Sequence, residues 1–307
     1  MCACRITAIS SPVRTRNNVK LSPLKYPVKT QRLLTMTNTI PRLLEPSELD
    51  VILDQDNLLI IDLCNPALYQ QKHVPGAVHL SASALMAGTA PTPGKLPTVE
   101  QLSNIISYLG IETETHVVVY DDEGGGWAGR MAWTLDLLGH SNWSYLNGGI
   151  VSWIKEGFPT QSDINQPTSK NTQAKLVNPA VRSDVDEITD KLGDANFAIW
   201  DARSPAEYRG DMVRSARGGH IPGAINIEWT SLMDQQRHLR LREDTQAILD
   251  AAGLTRDKVI TTHCQSHHRS AFTYMAARIL GYENISAYDG SWAEWGNLDS
   301  TPVELGD

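Results

Sequence analysis

One segment places a reactive side chain among groups that would activate it. It reads Val259-Ile260-Thr261-Thr262-His263-Cys264-Gln265-Ser266-His267-His268-Arg269-Ser270. Four β-prone residues lead towards Cys264. Ser270, a residue type that favours helix N-caps, follows, and Ala271 to Leu280 reads as a helix. The pattern is strand, tight loop and helix start, with one sulfur at the end of the strand. Backbone N–H groups of such a loop point inward, and the helix adds the positive end of its dipole. Both favour a thiolate over a thiol, and the thiolate is the nucleophile. Arg269 and a protonated His267 or His268 push the same way. The competing reading is a buried cysteine that merely ends a core strand, and the basic neighbours of Cys264 argue against it. Cys64 ends the apolar run from Leu59 with no such neighbours and reads as a core residue. No metal and no cofactor are expected, since no third and fourth ligands stand at suitable spacing from the two histidines.

The elements that must hold this loop occur twice. Leu59 to Cys64 is followed by His73-Val74-Pro75-Gly76-Ala77-Val78, and Ala198 to Arg203 by His220-Ile221-Pro222-Gly223-Ala224-Ile225. Each is an apolar strand ending near an aspartate, then a variable stretch, then a turn into another strand. Further on, Val117-Val118-Val119-Tyr120 matches Val259-Ile260-Thr261-Thr262, Asn147-Gly148-Gly149 matches Asp289-Gly290-Ser291, and Trp153 matches Trp295, an offset of 142 (295 − 153). A repeat of this length marks duplicated domains, here residues 41–160 and 179–307. The polar stretch 161–178 reads as a linker. Within each repeat, short apolar strands alternate with helical stretches at Val99–Leu109, Met131–Leu138, Thr245–Ala252 and Phe272–Leu280. The expected fold class is α/β, two similar domains, each a mainly parallel sheet with helices on both faces. In such sheets the site lies beyond the carboxyl ends of the strands, where Cys264 falls. At the same offset the first repeat has Asp122, in the loop Asp122-Glu123-Gly124-Gly125-Gly126-Trp127. Two carboxylates replace the positive surroundings a thiolate needs, so the first domain reads as catalytically silent, a scaffold and one wall of a cleft.

The 307 residues are 41% hydrophobic and 20% charged, which suits a globular chain of two domains. No apolar run is long enough to span a membrane. The four cysteines, Cys2, Cys4, Cys64 and Cys264, are too scattered for a disulfide framework, and a reducing compartment, the cytoplasm, fits best. Residues 1–35 hold seven basic residues and no acid, leaving 20 basic against 35 acidic residues in the remainder. Nucleic acid is therefore excluded as a partner of the acidic body. The basic stretch 1–40 is expected to be a disordered or untranslated extension, with Met36 as a start. An organelle transit peptide is the alternative.

The paired His-apolar-Pro-Gly-Ala turns, the stretch Tyr288-Asp289-Gly290-Ser291-Trp292-Ala293-Glu294-Trp295 and the cysteine loop resemble the rhodaneses, and more narrowly the tandem-domain thiosulfate sulfurtransferases. The resemblance covers residue 41 to the C-terminus. It implies two rhodanese-like domains and a persulfide cycle: the Cys264 thiolate takes the outer sulfur of a small anionic donor, sulfite leaves, and the sulfur passes to cyanide, a thiol or a protein acceptor. Cys264 is then the catalytic residue, Gln265, Ser266, His267, His268 and Arg269 bind substrate, and the chain is expected to be a monomer. One of His267 and His268 would hydrogen-bond to the persulfide or sulfite while the other caps the loop. Trp229 would wall the pocket or sit in the core. The family's substrate-contacting arginine falls on Glu207, which weakens the anion site, with Arg203, Arg209, Arg214 and Arg217 nearby to replace it. The loop Cys-Gln-Ser-His-His-Arg resembles a variant found in some bacterial rhodaneses rather than the Cys-Arg-Lys-Gly-like or mercaptopyruvate-type Cys-Gly-Ser-Gly-like loops. A 3-mercaptopyruvate sulfurtransferase is the nearest alternative. A cysteine phosphatase, whose loop has five residues between cysteine and arginine instead of the four here, is more distant.

Overall fold

The computed structural model describes residues 40–306; residues 1–39, which include the basic stretch 1–35, Cys2, Cys4 and Met36, lie outside the described residues. The first repeat contains the strands β1 (Leu43–Leu44), β2 (Leu58–Asp62), β3 (Val78–His79), β4 (His116–Tyr120) and β5 (Trp143–Leu146). Its helices are α1 (Pro46–Ile52), α2 (Pro66–Gln71), α3 (Val99–Leu109), α4 (Gly126–Leu137) and α5 (Gly149–Lys155). The second repeat contains β6 (Arg182–Ser183), β7 (Phe197–Asp201), β8 (Ile225–Asn226), β9 (Met233–Asp234), β10 (Arg240–Leu241), β11 (Val259–His263) and β12 (Ile285–Tyr288). Its helices are α6 (Val185–Asp190), α7 (Pro205–Arg209), α8 (Thr245–Ala251), α9 (Arg269–Ile279) and α10 (Ser291–Trp295). The strand orders are β1-β5-β4-β2-β3 and β6-β12-β11-β7-β8, and all pairings in both sheets are parallel. Strands β9 and β10 form a separate antiparallel hairpin.

Local sequence explains the ends of the elements that matter. Helix α3 starts with Thr98 and Gln101 exchanging hydrogen bonds with each other's backbone, and stops at Gly110, whose φ of 69° belongs to the left-handed region. The centre of each sheet is buried on both faces, as parallel sheets require. Ile61, Val117 and Val119 face one way with Trp200, Ile260 and Ile285 of the other sheet in a core shared by the two repeats. Ile60, Val118 and Tyr120 face a separate outer core of the first domain, and Ile199, Tyr288 and Trp295 one of the second.

The two domains therefore meet through apolar side chains, with α4 against α9. Gly129 on α4 lies so close to α9 that a Cβ there would stand 2.4 Å from the Ala271 carbonyl oxygen. Pseudo-symmetric loops add polar ties. The Leu96 N–H donates to Asp289 (2.8 Å), and the Leu241 N–H donates to Asn147 (2.9 Å), the residue matching Asp289 in the other repeat. Lys95 pairs with Glu294, and Arg240 with Glu45 and Glu156. Residues 161–178 run extended over the first domain, with Lys170 N–H on Ser107 and Ala174 N–H on Ser103.

The close approach at Gly129 generates a prediction. Gly129→Ala must push α4 from α9 and should cost about 1–3 kcal/mol of stability in denaturant unfolding. An unchanged midpoint for Gly129→Ala would mean the helices are not packed as described.

Candidate active site

Parallel pairing puts the carboxyl ends of β7 and β11 side by side, with Asp201 opposite His263. The chain leaves β11 at Cys264 and enters α9 at Arg269, so Gln265, Ser266, His267 and His268 form the loop. The helix begins earlier than Ser270 suggests: His268 holds the N-cap position without a side-chain cap. Ser270 is thereby freed from capping. Its hydroxyl lies 3.5 Å from Cys264 Sγ and 2.8 Å from His267 Nδ1.

Cys264 is only 1% exposed. Burial alone would raise its pKa, but Arg269, the Ser270 hydroxyl and the backbone N–H groups of Ser270 and Ser266 outweigh it and bring the thiol down to about 7. The loop's shape is held from beneath by the Asp289-Gly290-Ser291-Trp292 turn. Ser291 adopts a left-handed φ of 52°, and its hydroxyl accepts from the N–H groups of Cys264 (3.3 Å) and His267 (3.1 Å). The Trp292 and Ala293 N–H groups donate to the carbonyls of Cys264 and Gln265, both at 2.9 Å. His267 also has a left-handed φ, 53°, and its fully buried ring meets Trp133 of the first domain edge-on at 4.5 Å. It braces the loop. His268 lies at the rim, 2.5 Å from Glu123 of the first domain and between Trp127 and Trp229. Trp229 thus walls the loop's mouth. Gln265 turns away to Ser215 (3.1 Å), so its side chain holds the neighbouring segment.

The basic residues differ from expectation. Arg269 is not a free anion binder: its two terminal nitrogens lie 2.6 and 2.9 Å from the two oxygens of Glu207. Glu207, buried, is also held by Ser204 in the first turn of α7 and by Arg214 at 3.1 Å. Burial would raise its pKa, but Arg269 above all pulls it from 4.5 to about 2. Glu207 therefore fixes the direction of Arg269 rather than only weakening an anion site. Arg203 is locked on buried Asp201 and the Gly219 carbonyl, and Arg217 on the carbonyls of Trp295 and Thr301, so neither is available to an anion. Arg209 pairs with Asp211, and Arg214 reaches this cluster through Glu207. A cation missing from the sequence reading lies behind the loop. Arg130 of α4 is fully buried, donates to the carbonyls of Leu85 (2.9 Å) and His267 (3.3 Å), and feels the charge of Cys264. Its place in the other repeat hid it.

The first domain's loop requires a second correction. Asp62 pairs with Tyr120 as Asp201 pairs with His263, so the residue at the position of Cys264 is Asp121, not Asp122. The offset is 143 here (263 − 120) and returns to 142 at β5 and β12 (285 − 143). An unbroken apolar strand carries no alternation to mark a one-residue slip. Asp121 folds back into its own loop and accepts from the N–H groups of Glu123 (3.1 Å), Gly125 (2.8 Å), Trp127 (2.9 Å) and Ala128 (3.0 Å). Glu123 and Trp127 match Ser266 and Ser270, whose N–H groups face the sulfur in the second domain. A carboxylate fills the anion cradle there. Cys64 borders a cavity of about 310 Å³ with Asp122 and Glu123. Burial, then the charges of Asp62, Asp121 and Asp122, drive its pKa far upward, which makes it inert.

The model of the rhodanese-like domain matches residues 45–156 and 184–298. The chain belongs to the rhodanese family. It is 46% identical over 267 residues to a thiosulfate sulfurtransferase of Azotobacter vinelandii, covering 87% of this chain and 98% of that one. It is 42% identical to a thiosulfate sulfurtransferase of Pseudomonas aeruginosa, covering 89% and 100%. Among solved structures, the anaerobic ergothioneine biosynthesis enzyme of Chlorobium limicola superposes with a TM-score of 0.78 at 24% identity, over 87% of this chain and 70% of that one, a likeness of fold alone. No helix among the described residues is long and apolar enough to cross a membrane.

The Glu207–Arg269 pair generates a pH prediction. A carboxyl whose folded pKa is depressed stabilises the fold above its unfolded value and loses that contribution as pH falls through the folded one. Unfolding free energy should therefore drop between about pH 4.5 and 2. Glu207→Gln should lose about 1.5–3 kcal/mol at neutral pH and show a flatter acid limb. An acid limb as steep as that of the wild type would remove Glu207 from the account.

Proposed function

We propose that the chain is a thiosulfate sulfurtransferase in which Cys264 carries the transferred sulfur. The observation that carries this is a fully buried thiol brought down to about 7 by Arg269, Ser270 and inward N–H groups at a strand–loop–helix junction. A thiol lowered this far carries a substantial share of thiolate at neutral pH. The thiolate attacks the outer sulfur of thiosulfate, the new S–S bond forms, and the bond to the sulfonate breaks with its electron pair leaving on sulfite. The persulfide anion then occupies the cradle, where Asp121 puts a carboxylate in the other domain. Attack by cyanide or a thiol on the outer sulfur gives thiocyanate or a new persulfide and restores the Cys264 thiolate.

Two features favour sulfur over a phosphoryl group. Four residues separate Cys264 from Arg269, and both terminal nitrogens of Arg269 are already engaged by Glu207. The first domain is a scaffold whose own cradle is already filled. A reducing compartment such as the cytoplasm suits a cycle that needs Cys264 as a free thiol.

Incubation with thiosulfate should add one sulfur to the intact mass, removable by cyanide, in the wild type and in Cys64→Ala but not in Cys264→Ala. Sulfur uptake by Cys264→Ala would overturn the assignment. Arg269→Ala should raise the pKa of Cys264 and lower kcat/KM for thiosulfate about ten- to hundredfold, more than for an uncharged sulfur donor. Equal losses on both donors would leave Arg269 with a purely structural part.

A further inference from the structure

The domain that lacks a nucleophile still reaches into the active loop. Glu123 Oε1 lies 2.5 Å from His268 Nε2. The space for that ring exists because Gly126 has no side chain: a Cβ there would stand 2.2 Å from His268 Nε2. Trp127 packs against the ring at 4.3 Å and Trp229 stands edge-on at 5.4 Å, so the imidazole is fixed from two sides. The charged groups facing His268 are Glu123 and Asp121 of the first domain and Cys264 of its own loop. His267, adjacent in the chain, is kept neutral by burial and by Arg130 behind it.

We propose that Glu123 is a positioning residue for sulfur transfer: it holds His268 as a cation at the rim of the Cys264 loop, where that cation meets the charge of the departing sulfite. The proposal rests on the sulfurtransferase reading above. The charge balance shows why a cation is needed there. A thiolate of charge −1 meets thiosulfate of charge −2, and a persulfide anion and a sulfite dianion result. No oxidant or reductant enters. Arg269 and Arg214 share the buried Glu207 on one side of the loop, and Arg130 is held beneath it by backbone carbonyls. His268, paired with Glu123, adds a basic side chain at the rim on the side of the first domain. With Nε2 held by Glu123, its Nδ1–H donates to a sulfite oxygen as the S–S bond breaks, or gives sulfite the proton outright and regains one from water. Burial alone would strip the proton from His268, and the Glu123 carboxylate, with the charge of Cys264, holds it on.

The test uses the full chain, thiosulfate as donor and cyanide as acceptor. Glu123 is partly exposed, so Glu123→Gln should fold as the wild type does. It should lower kcat/KM for thiosulfate about tenfold. The falling alkaline limb of the pH profile should move to lower pH, because His268 then loses its proton more readily. His268→Asn should give a similar loss, the double variant Glu123→Gln/His268→Asn should be no worse than His268→Asn alone, and Glu123→Asp should restore part of the activity. A Glu123→Gln enzyme with the wild-type alkaline limb, or a double variant whose losses multiply, would overturn the proposal. Persulfide formation in the wild type, read by intact mass, keeps the two readings apart. Its absence defeats the sulfurtransferase assignment, whereas its presence with an unshifted pH profile defeats only the part given to Glu123.

Discussion

The structure depends on holding one negative charge at the buried end of β11. Cys264 is 1% exposed, a setting that should keep a thiol neutral, yet its pKa falls to about 7. The groups responsible are fixed by others that never touch the sulfur. Glu207 aims Arg269, and Ser291 sets the path of the loop through a left-handed backbone. Each is buried and paired, so the cradle is stiff before substrate arrives, and such preorganisation is what makes electrostatic stabilisation effective in a dry site.

Duplication supplies an internal comparison. The two repeats share strand order, loop length and the N–H groups at the strand–helix junction, and they differ in what fills the junction. In the second it is a sulfur with cationic neighbours. In the first, Asp121 supplies its own anion and satisfies the same N–H groups. Cys64, the thiol of that domain, lies among Asp62, Asp121 and Asp122 and is held neutral. Burial and the surrounding carboxylates keep Cys64 neutral, whereas Arg269, Ser270 and the loop N–H groups bring Cys264 down. The first domain is not inert in consequence: it contributes Arg130, Trp133, Trp127 and Glu123 to the surroundings of the active loop.

Much of this was legible in the residues. The apolar runs at β2, β4, β7 and β11, the repeated Pro-Gly-Ala turns and the helix at Val99–Leu109 lie where the pattern puts them. Cys264 stood out because its neighbours are chemically unlike those of Cys64. What escaped is of two kinds. A one-residue slip in the uniform run Val117-Val118-Val119 hid Asp121, since a strand buried on both faces has no alternation to fix register. The other kind is long-range. Glu207 looked like a missing arginine until α7 brought it to Arg269, and Arg130 and Glu123 belong to the other repeat, more than a hundred residues from the loop they serve. No local pattern marks such partners. The Asp-Gly-Ser-Trp motif was seen, but the task of Ser291 follows only from the left-handed turn it makes beneath Cys264.

The central claim is that environment divides the two described thiols, one activated and one silenced. The most direct measurement is the rate of alkylation of each cysteine in the native protein as a function of pH, with the modified residue identified by peptide mapping. Cys264 should react with a midpoint near pH 7, and Cys64 should stay unmodified until the protein is unfolded. A midpoint for Cys264 at the value of an ordinary thiol, about 8.5, or modification of Cys64 at a comparable rate in the folded protein, would contradict the account.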